Sequence, residues 1–258
     1  MTSKKNTKPK FTYGYRKDSY DNRDYLRVFN PAAVLPAAVD LRLKVKLPIY
    51  DQGQLGSCTS QALATAHYFA QKTTKGSGTA IKPSRLCIYY REREIEGTIS
   101  EDSGAMIRDG IKALANGGVC PESMWPYNVK KFTQAPPAVA VAQEKNHKIL
   151  KYERVQSNSL AVKQAIAAGD PVVVGIMLYA SFEADSTLRT GIVPVPKRNE
   201  RVLGGHAVIL VGYDDAKQMF TLQNSWGTSV GDKGYFYLPY KYIDLGLGSD
   251  FWTVKAAT

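Results

Sequence analysis

Apolar residues in the first half of the chain recur every three or four positions, the spacing of a helix with one buried face. This spacing predicts a helix that begins near Cys58, a second over about 104–115 and a third over about 160–168. Asn158 or Ser159 precedes the third run and is expected to cap it, because short polar side chains accept hydrogen bonds from free N–H groups.

The second half of the chain instead contains continuous apolar runs, which are typical of buried strands. Three such runs predict strands over 172–178, 206–213 and 219–223. Between the two halves, residues 121–143 have the composition of a loop.

Helical spacing followed by strand-like runs predicts an α+β fold with segregated lobes. We place a helical lobe at about 35–150 and a β-rich lobe at about 151–258, which together form one domain over 35–258. The length of 258 residues fits two lobes around a cleft, and a hydrophobic fraction of 44% suffices for a packed core.

Residues 1–34 form a basic N-terminal segment. The first thirty residues hold five lysines and three arginines against three aspartates, out of a net charge of +11 for the chain. A solubilising tail, a short inhibitory prosegment and a weak contact with a polyanion such as nucleic acid or a membrane surface are all compatible with this composition.

Targeting and cofactor signals are not found in the sequence. No apolar core follows the basic N-terminus and no apolar run approaches a membrane span. Three cysteines, an odd number, favour a reducing compartment, so we expect a cytoplasmic or otherwise non-classically located protein. Because zinc-type clusters and phosphate-binding loops are also missing, we expect no metal and no cofactor.

Cys58 is the first candidate for chemistry. It stands at the predicted start of a helix, where free N–H groups and the helix dipole favour a thiolate over a thiol. A thiolate is a nucleophile, and this position therefore indicates covalent catalysis.

His206 is the best candidate for a base. His67 would lie roughly 13 Å from Cys58 along the same helix, and His147 stands in a charged stretch. A hairpin centred on Asp215 without a bulge would place His206 opposite Asn224, whose amide oxygen fixes the imidazole tautomer. A buried histidine satisfied by an asparagine, with no catalytic role, is the alternative.

Three blocks of sequence together resemble the papain-like cysteine peptidases (peptidase C1, cathepsin-like). They are the run from Gln52 to Cys58, Gly205-His206-Ala207 and Asn224-Ser225-Trp226-Gly227. The resemblance extends from about Leu35 to Val254, with the blocks in the order of the family.

The resemblance implies a two-lobed fold with the active site in the cleft, and amide hydrolysis without a cofactor. Cys58 would be the nucleophile, His206 its proton-exchange partner and Asn224 the residue that orients the imidazole. Gln52 would donate to an oxyanion hole, and Trp226 would shield the His–Asn hydrogen bond from water.

The chain also departs from the family pattern. Leu55 replaces the cysteine that usually stands three residues before the nucleophile, and Thr59 replaces the usual tryptophan after it. Cys87 and Cys120 do not occupy the positions of the family's disulfides, so we expect those bridges to be absent.

The resemblance also suggests where a substrate binds. Ser103 and Gly104 match the strip that pairs with extended substrate backbone. Met106, Gly175 and Ala207 would line a side-chain pocket, and their small or apolar side chains favour an apolar residue.

We therefore predict a monomeric thiol protease that acts on proteins or peptides, with endopeptidase action favoured. Acyl transfer to an amine by the same triad is one alternative. A non-catalytic, polyanion-binding protein on this fold is another.

Overall fold

A computed structural model describes residues 10–30, 32–74 and 79–258. The fold is α+β, with helices packed beside one large antiparallel sheet. The helices are α1 (Cys58–Thr73), α2 (Arg85–Glu96), α3 (Ile107–Asn116), α4 (Ala138–Glu144), α5 (Ser159–Ala167), α6 (Asp185–Thr190) and α7 (Tyr240–Asp244). The strands are β1 (Tyr15–Arg16), β2 (Ala38–Asp40), β3 (Ala105–Met106), β4 (Ile149–Val155), β5 (Val172–Tyr179), β6 (Val202–Asp214), β7 (Met219–Gln223), β8 (Tyr235–Pro239) and β9 (Gly248–Ala257).

The central helix of the N-terminal lobe is α1, which is buried along nearly all its length. Small residues let neighbouring helices approach it closely: a Cβ built on Gly110 of α3 would lie 2.3 Å from a methyl group of Leu63. Helix α2 begins after Ser84, whose hydroxyl accepts from the Cys87 N–H, and ends at Gly97 in the left-handed conformation. These contacts fix where Cys58, the first residue of α1, lies.

The large sheet has the strand order β4-β9-β5-β6-β7-β8, and β2 pairs with β6. Strand β5 lies between β9 and β6 and is buried over most of its length, which explains its uninterrupted apolar sequence. Helix α5 packs on this sheet, and the Asn158 side chain caps it by accepting from the Ala161 N–H at 2.8 Å. The cap expected from the sequence is thus the asparagine.

The predicted register of the β6–β7 hairpin is wrong. Leu210 pairs with Leu222 and Tyr213 with Phe220, with a register shift between Leu210 and Gly212. The turn is also wider than a tight hairpin and contains Gln218 at a φ of 55°. A bulge of this kind adds a residue to one strand, which sequence alternation does not reveal.

Two helical features also differ from the sequence-based prediction. The stretch predicted as a loop over 121–143 contains most of α4, which begins after Pro137 because proline is accommodated at a helix start. The second predicted helix begins at Ile107 instead of about residue 104, because Ala105 and Met106 are extended as β3.

Residues 10–30 of the N-terminal segment lie along the body of the protein, while residues 1–9 and 31 of that predicted segment lie outside the described residues. The Arg27 N–H donates to the Arg154 carbonyl at 2.7 Å, and the Arg27 guanidinium binds Asp170 at 2.7 Å. Nearer the chain start, Tyr15 and Arg16 form β1, which pairs parallel with β3. Among the helices described, none combines the length and apolar character needed to cross a membrane.

Candidate active site

The start of α1 meets the start of the buried part of β6. Cys58 is fully buried, and its Sγ accepts a hydrogen bond from the Ala207 N–H at 3.3 Å. Because Ala207 directly follows His206, this bond brings the sulfur beside the part of β6 that carries the histidine, although 148 positions separate Cys58 from His206 in the sequence. The two predicted lobes contribute one residue each.

His206 and Asn224 are paired as the sequence suggested, despite the different register. His206 Nε2 lies 2.7 Å from Asn224 Oδ1, and both residues are buried. His206 Nδ1 has no hydrogen-bond partner among the described residues. The Trp226 ring lies beside the imidazole, with 5.0 Å between ring centroids, and is itself buried.

Gln52 is buried beneath the loop that leads into α1. Its Nε2 donates to the Leu55 carbonyl at 2.9 Å, and its Oε1 accepts from the Ser225 hydroxyl at 2.6 Å. The Nε2 group also donates to the Thr12 carbonyl of the N-terminal segment at 3.1 Å. These contacts fix the orientation of the Gln52 amide, and its N–H groups are already bound to the Leu55 and Thr12 carbonyls.

Burial determines the protonation of the two reactive groups. It raises the pKa of the Cys58 thiol to about 11, although N–H groups of Ala207 and Gly14 oppose this by favouring the thiolate. Burial also lowers the pKa of His206 to about 4, against the opposing hydrogen bond to Asn224. At neutral pH, thiol and imidazole are consequently both uncharged in this structure.

The N-terminal segment covers these residues. Phe11 stacks on Trp226 with ring centroids 4.0 Å apart and planes 2° from parallel. Tyr13 lies edge-on to His206 at 5.9 Å, and its hydroxyl donates to Glu183. Burial and the bond to Glu183 raise the pKa of Tyr13, so the phenol stays neutral. Aromatic side chains of the segment thus seal the histidine side of the cleft.

The backbone of Gly14 lies between the backbones of Gly56 and Gly104. A Cβ built on Gly14 would lie 1.7 Å from the Gly56 carbonyl oxygen, and one on Gly104 would lie 2.0 Å from the Gly14 oxygen. The Gly14 carbonyl accepts from the Ala105 N–H at 2.7 Å. Only glycine allows three backbones to approach this closely.

The residues predicted to bind substrate lie along this path. Gly104 contacts Gly14 with a φ of 69°, and Met106 pairs with Arg16 in the β1–β3 ladder. The Ser103 hydroxyl donates to the Thr98 hydroxyl at 2.8 Å. Gly175 contacts the Tyr15 ring, and Ala207 is buried beside Cys58.

Comparisons with known proteins identify the family of this chain. The family model for papain family cysteine proteases matches residues 35–250. The chain belongs to the papain family of cysteine proteases. A curated relative, an uncharacterized peptidase C1-like protein of Acanthamoeba polyphaga mimivirus, is 39% identical over 95% of this chain and 87% of its own length. Cysteine proteinase 1 of Entamoeba histolytica is 28% identical over 91% of this chain and 72% of its own length.

The crystal structure of xylellain, a cysteine protease from Xylella fastidiosa, is similar throughout. It has a TM-score of 0.90 and 41% identity, and the match covers 97% of this chain and 98% of that one. The resemblance inferred from the sequence is therefore confirmed, as are the papain-like α+β fold and the assignment as a thiol protease that acts on proteins or peptides.

Sequence reasoning missed a group of residues that contacts Gln52 and the residue before Cys58. The Tyr127 hydroxyl donates to the Gln52 carbonyl at 2.9 Å and lies 2.5 Å from the Ser57 hydroxyl. The Arg85 guanidinium lies between the rings of Tyr50 and Tyr127, 4.3 Å from each. The sequence contains Trp125-Pro126-Tyr127 at this place, but no local pattern shows what the tyrosine contacts.

Two other features of the site bear on its chemistry. All three cysteines are free and buried, including Cys87 and Cys120. In the part of the chain that the structure describes, no three histidine, cysteine or carboxylate side chains are grouped as metal ligands.

Proposed function

We propose that Cys58, His206 and Asn224 are the catalytic triad of this peptidase. The observation that carries the proposal is the arrangement of the imidazole. Its Nε2 is bound to Asn224, its Nδ1 has no partner, and the N–H of the next residue holds the Cys58 sulfur. An imidazole fixed at one nitrogen and free at the other is what a thiol needs for proton exchange.

The reaction follows from these groups. Nδ1 of His206 takes the Cys58 proton, and the thiolate attacks the substrate carbonyl to form a tetrahedral intermediate. The imidazolium then protonates the departing amine as the C–N bond breaks, which leaves a thioester on Cys58. Water, deprotonated by His206, hydrolyses the thioester and restores the thiol.

Gln52 is proposed as an oxyanion donor, with the Cys58 backbone N–H as the second donor. The Ser225 hydroxyl and the Leu55 carbonyl orient the amide of Gln52 before substrate arrives. Donors fixed in advance stabilise developing charge without reorganisation. Trp226 would protect the His206–Asn224 bond from water, as its position beside the ring suggests.

Residues 1–34 are proposed to act as a built-in inhibitor, through the part from Lys10 onward. Three observations support this. The Thr12 carbonyl occupies the Gln52 donor, aromatic side chains cover His206, and burial leaves the thiol and imidazole uncharged. Activation then requires the segment to leave, which returns water to the site. A polyanion contact and a monomeric state remain predictions.

A substrate is proposed to replace the segment along the strip formed by Ser103, Gly104 and Met106. Extended backbone pairs there, as the Gly14 carbonyl does with the Ala105 N–H. Gly175 and Ala207 line the adjoining pocket. We favour endopeptidase action because the segment runs through the cleft and continues beyond it, from Lys10 to Arg27.

Labelling with a thiol-directed epoxide tests the triad. We expect the wild type to label slowly and a Gly14→Ala variant, whose cleft is opened, to label faster. The double variant Gly14→Ala, Cys58→Ala should not label. Cys87→Ala and Cys120→Ala are matched controls and should label like their parent. Labelling that persists in Cys58→Ala, at any site, would refute the assignment.

Product analysis separates hydrolysis from transfer. The opened variant is given a peptide substrate together with a primary amine. Hydrolysis yields two free peptides, whereas acyl transfer would yield an amide of the added amine. We expect hydrolysis to dominate, with cleavage inside long peptides and not only at their ends.

A further inference from the structure

The side chain of Tyr15 fills a pocket on the β-rich side of the cleft. Its ring lies over two glycines of the neighbouring strands β5 and β6. A Cβ built on Gly175 would lie 2.0 Å from the ring, and one on Gly205 would lie 2.9 Å from it. Any larger residue at these positions would occupy the space of the ring. The shape of the pocket is therefore that of a flat aromatic side chain.

The floor of this pocket is polar, which the sequence did not indicate. The Tyr15 hydroxyl lies 2.7 Å from the Ser249 Oγ and 2.5 Å from Asp250 Oδ2. The expectation of an apolar side chain, made from Met106, Gly175 and Ala207, describes only the walls. A phenol satisfies both parts, since its ring is apolar and its end is a hydrogen-bond donor.

The Asp250 carboxylate is held by the body of the peptidase. Its Oδ1 accepts from the Arg154 guanidinium, and its side chain is 1% exposed. Because Arg154 already provides a positive counter-charge, the pocket favours a neutral donor over a second cation such as lysine. Oδ2 also accepts from the Asp18 N–H of the segment at 2.7 Å. A phenylalanine in the pocket would leave this buried carboxylate oxygen without the hydroxyl that Tyr15 now supplies.

We propose that this pocket, formed by Gly175, Gly205, Ser249 and Asp250, selects substrates with tyrosine over phenylalanine. This inference rests on the proposed function, because it assumes that substrate backbone follows the path of the segment. Sites built to bind a hydroxyl reject the analogue that lacks it. A hydrogen bond to a charged acceptor corresponds to about a 10- to 100-fold preference.

The experiment uses the full chain with Gly14→Ala, which opens the cleft, together with Tyr15→Ala, which empties the pocket. Peptide libraries varied one position at a time report cleavage rates. We expect one position at which tyrosine is preferred over phenylalanine by about tenfold or more. Adding Ser249→Ala or Asp250→Asn should reduce this preference. Asp170→Asn is the matched control, since Asp170 binds Arg27 of the segment and is not part of the pocket.

A binding measurement separates the two proposals. The Tyr15→Ala protein that also carries Cys58→Ala is titrated with p-cresol and with toluene by calorimetry. Tighter binding of p-cresol than of toluene, lost with Asp250→Asn, supports the inference. If p-cresol binds in this way but no peptide is cleaved, the peptidase proposal fails and the inference about the pocket stands. Equal cleavage of tyrosine and phenylalanine peptides at every position overturns the inference, as does equal binding of the two small molecules.

Discussion

Gly14→Ala is expected to release the proposed inhibition by residues 1–34 and so to raise peptidase activity. The added methyl would lie 1.7 Å from the Gly56 carbonyl oxygen, whereas ordinary contacts of a Cβ begin near 3.4 Å. The methyl carbon is fixed to the backbone of residue 14 and the oxygen to the backbone of Gly56, so no side-chain rotation relieves the clash. The segment has to move by well over 1 Å, or leave.

The magnitude follows from what that movement breaks. The Ala105 N–H loses the Gly14 carbonyl, and the Gln52 amide loses the Thr12 carbonyl. Two hydrogen bonds at about 1 kcal/mol each, with some lost packing of Tyr13 on His206, amount to about 2–3 kcal/mol. Such a change raises the population with an open cleft by about 30- to 150-fold.

The assay is the rate at which a thiol-directed epoxide inactivates and labels Cys58, followed at neutral pH with a peptide substrate. Gly117→Ala is the matched control, because its added Cβ meets only the Ala113 carbonyl at 3.3 Å, far from the cleft. We expect that control to behave as the wild type. If Gly14→Ala labels no faster than the control, the segment does not block the nucleophile and the proposed latency is wrong.

Three further outcomes are expected. Replacing Gln52 by alanine in the Gly14→Ala background should lower kcat by about 10²–10³-fold, measured by steady-state kinetics, because one oxyanion donor is lost. Burial and the nearby carboxylate at position 250 raise the pKa of Asp18 to about 6, so docking of the segment takes up a proton and weakens as pH rises from about 4 through 6. Hydrogen exchange of the segment amides between pH 4 and 7 measures docking, and Asp18→Asn should flatten its pH dependence. The lowered pKa of His206 changes docking in the opposite sense, but it does so equally in the wild type and in Asp18→Asn. The difference between the two proteins therefore reports Asp18 alone. Asn158→Ala should lower the free energy of unfolding by about 1 kcal/mol in chemical denaturation, through loss of the α5 cap.

The sequence predicted the pairing of His206 with Asn224 from an incorrect register. The hairpin contains a bulge and a wider turn, so Leu210 faces Leu222 and not Phe220. The histidine and the asparagine nevertheless meet, because side chains reach across a diagonal in a twisted sheet. Alternation along strands defines which residues share a face, whereas bulges and turn widths depend on contacts outside the hairpin.

The path of the N-terminal segment was beyond sequence reasoning for a different reason. Gly14, Gly56 and Gly104 are ordinary glycines when each is seen in its own surroundings. They are required because their backbones pack against one another in the fold, although more than forty residues separate each from the next in the sequence. The polar floor at Ser249 and Asp250 was missed likewise, since no local pattern links it with Tyr15.

Gln52 has a part in both proposals, inhibition by the segment and catalysis, so one substitution tests both. The Gln52 amide donates to the Thr12 carbonyl, so under the two proposals the same donor would serve the inhibited and the active state. Loss of Gln52 therefore weakens docking and chemistry together: the cleft opens more often, but each turnover is slower. Labelling of Cys58 measures opening and kcat measures chemistry, so Gln52→Ala should raise the first in the wild-type background and lower the second in the opened one. A fall in both would mean that the amide mainly supports the loop before α1, and not the segment.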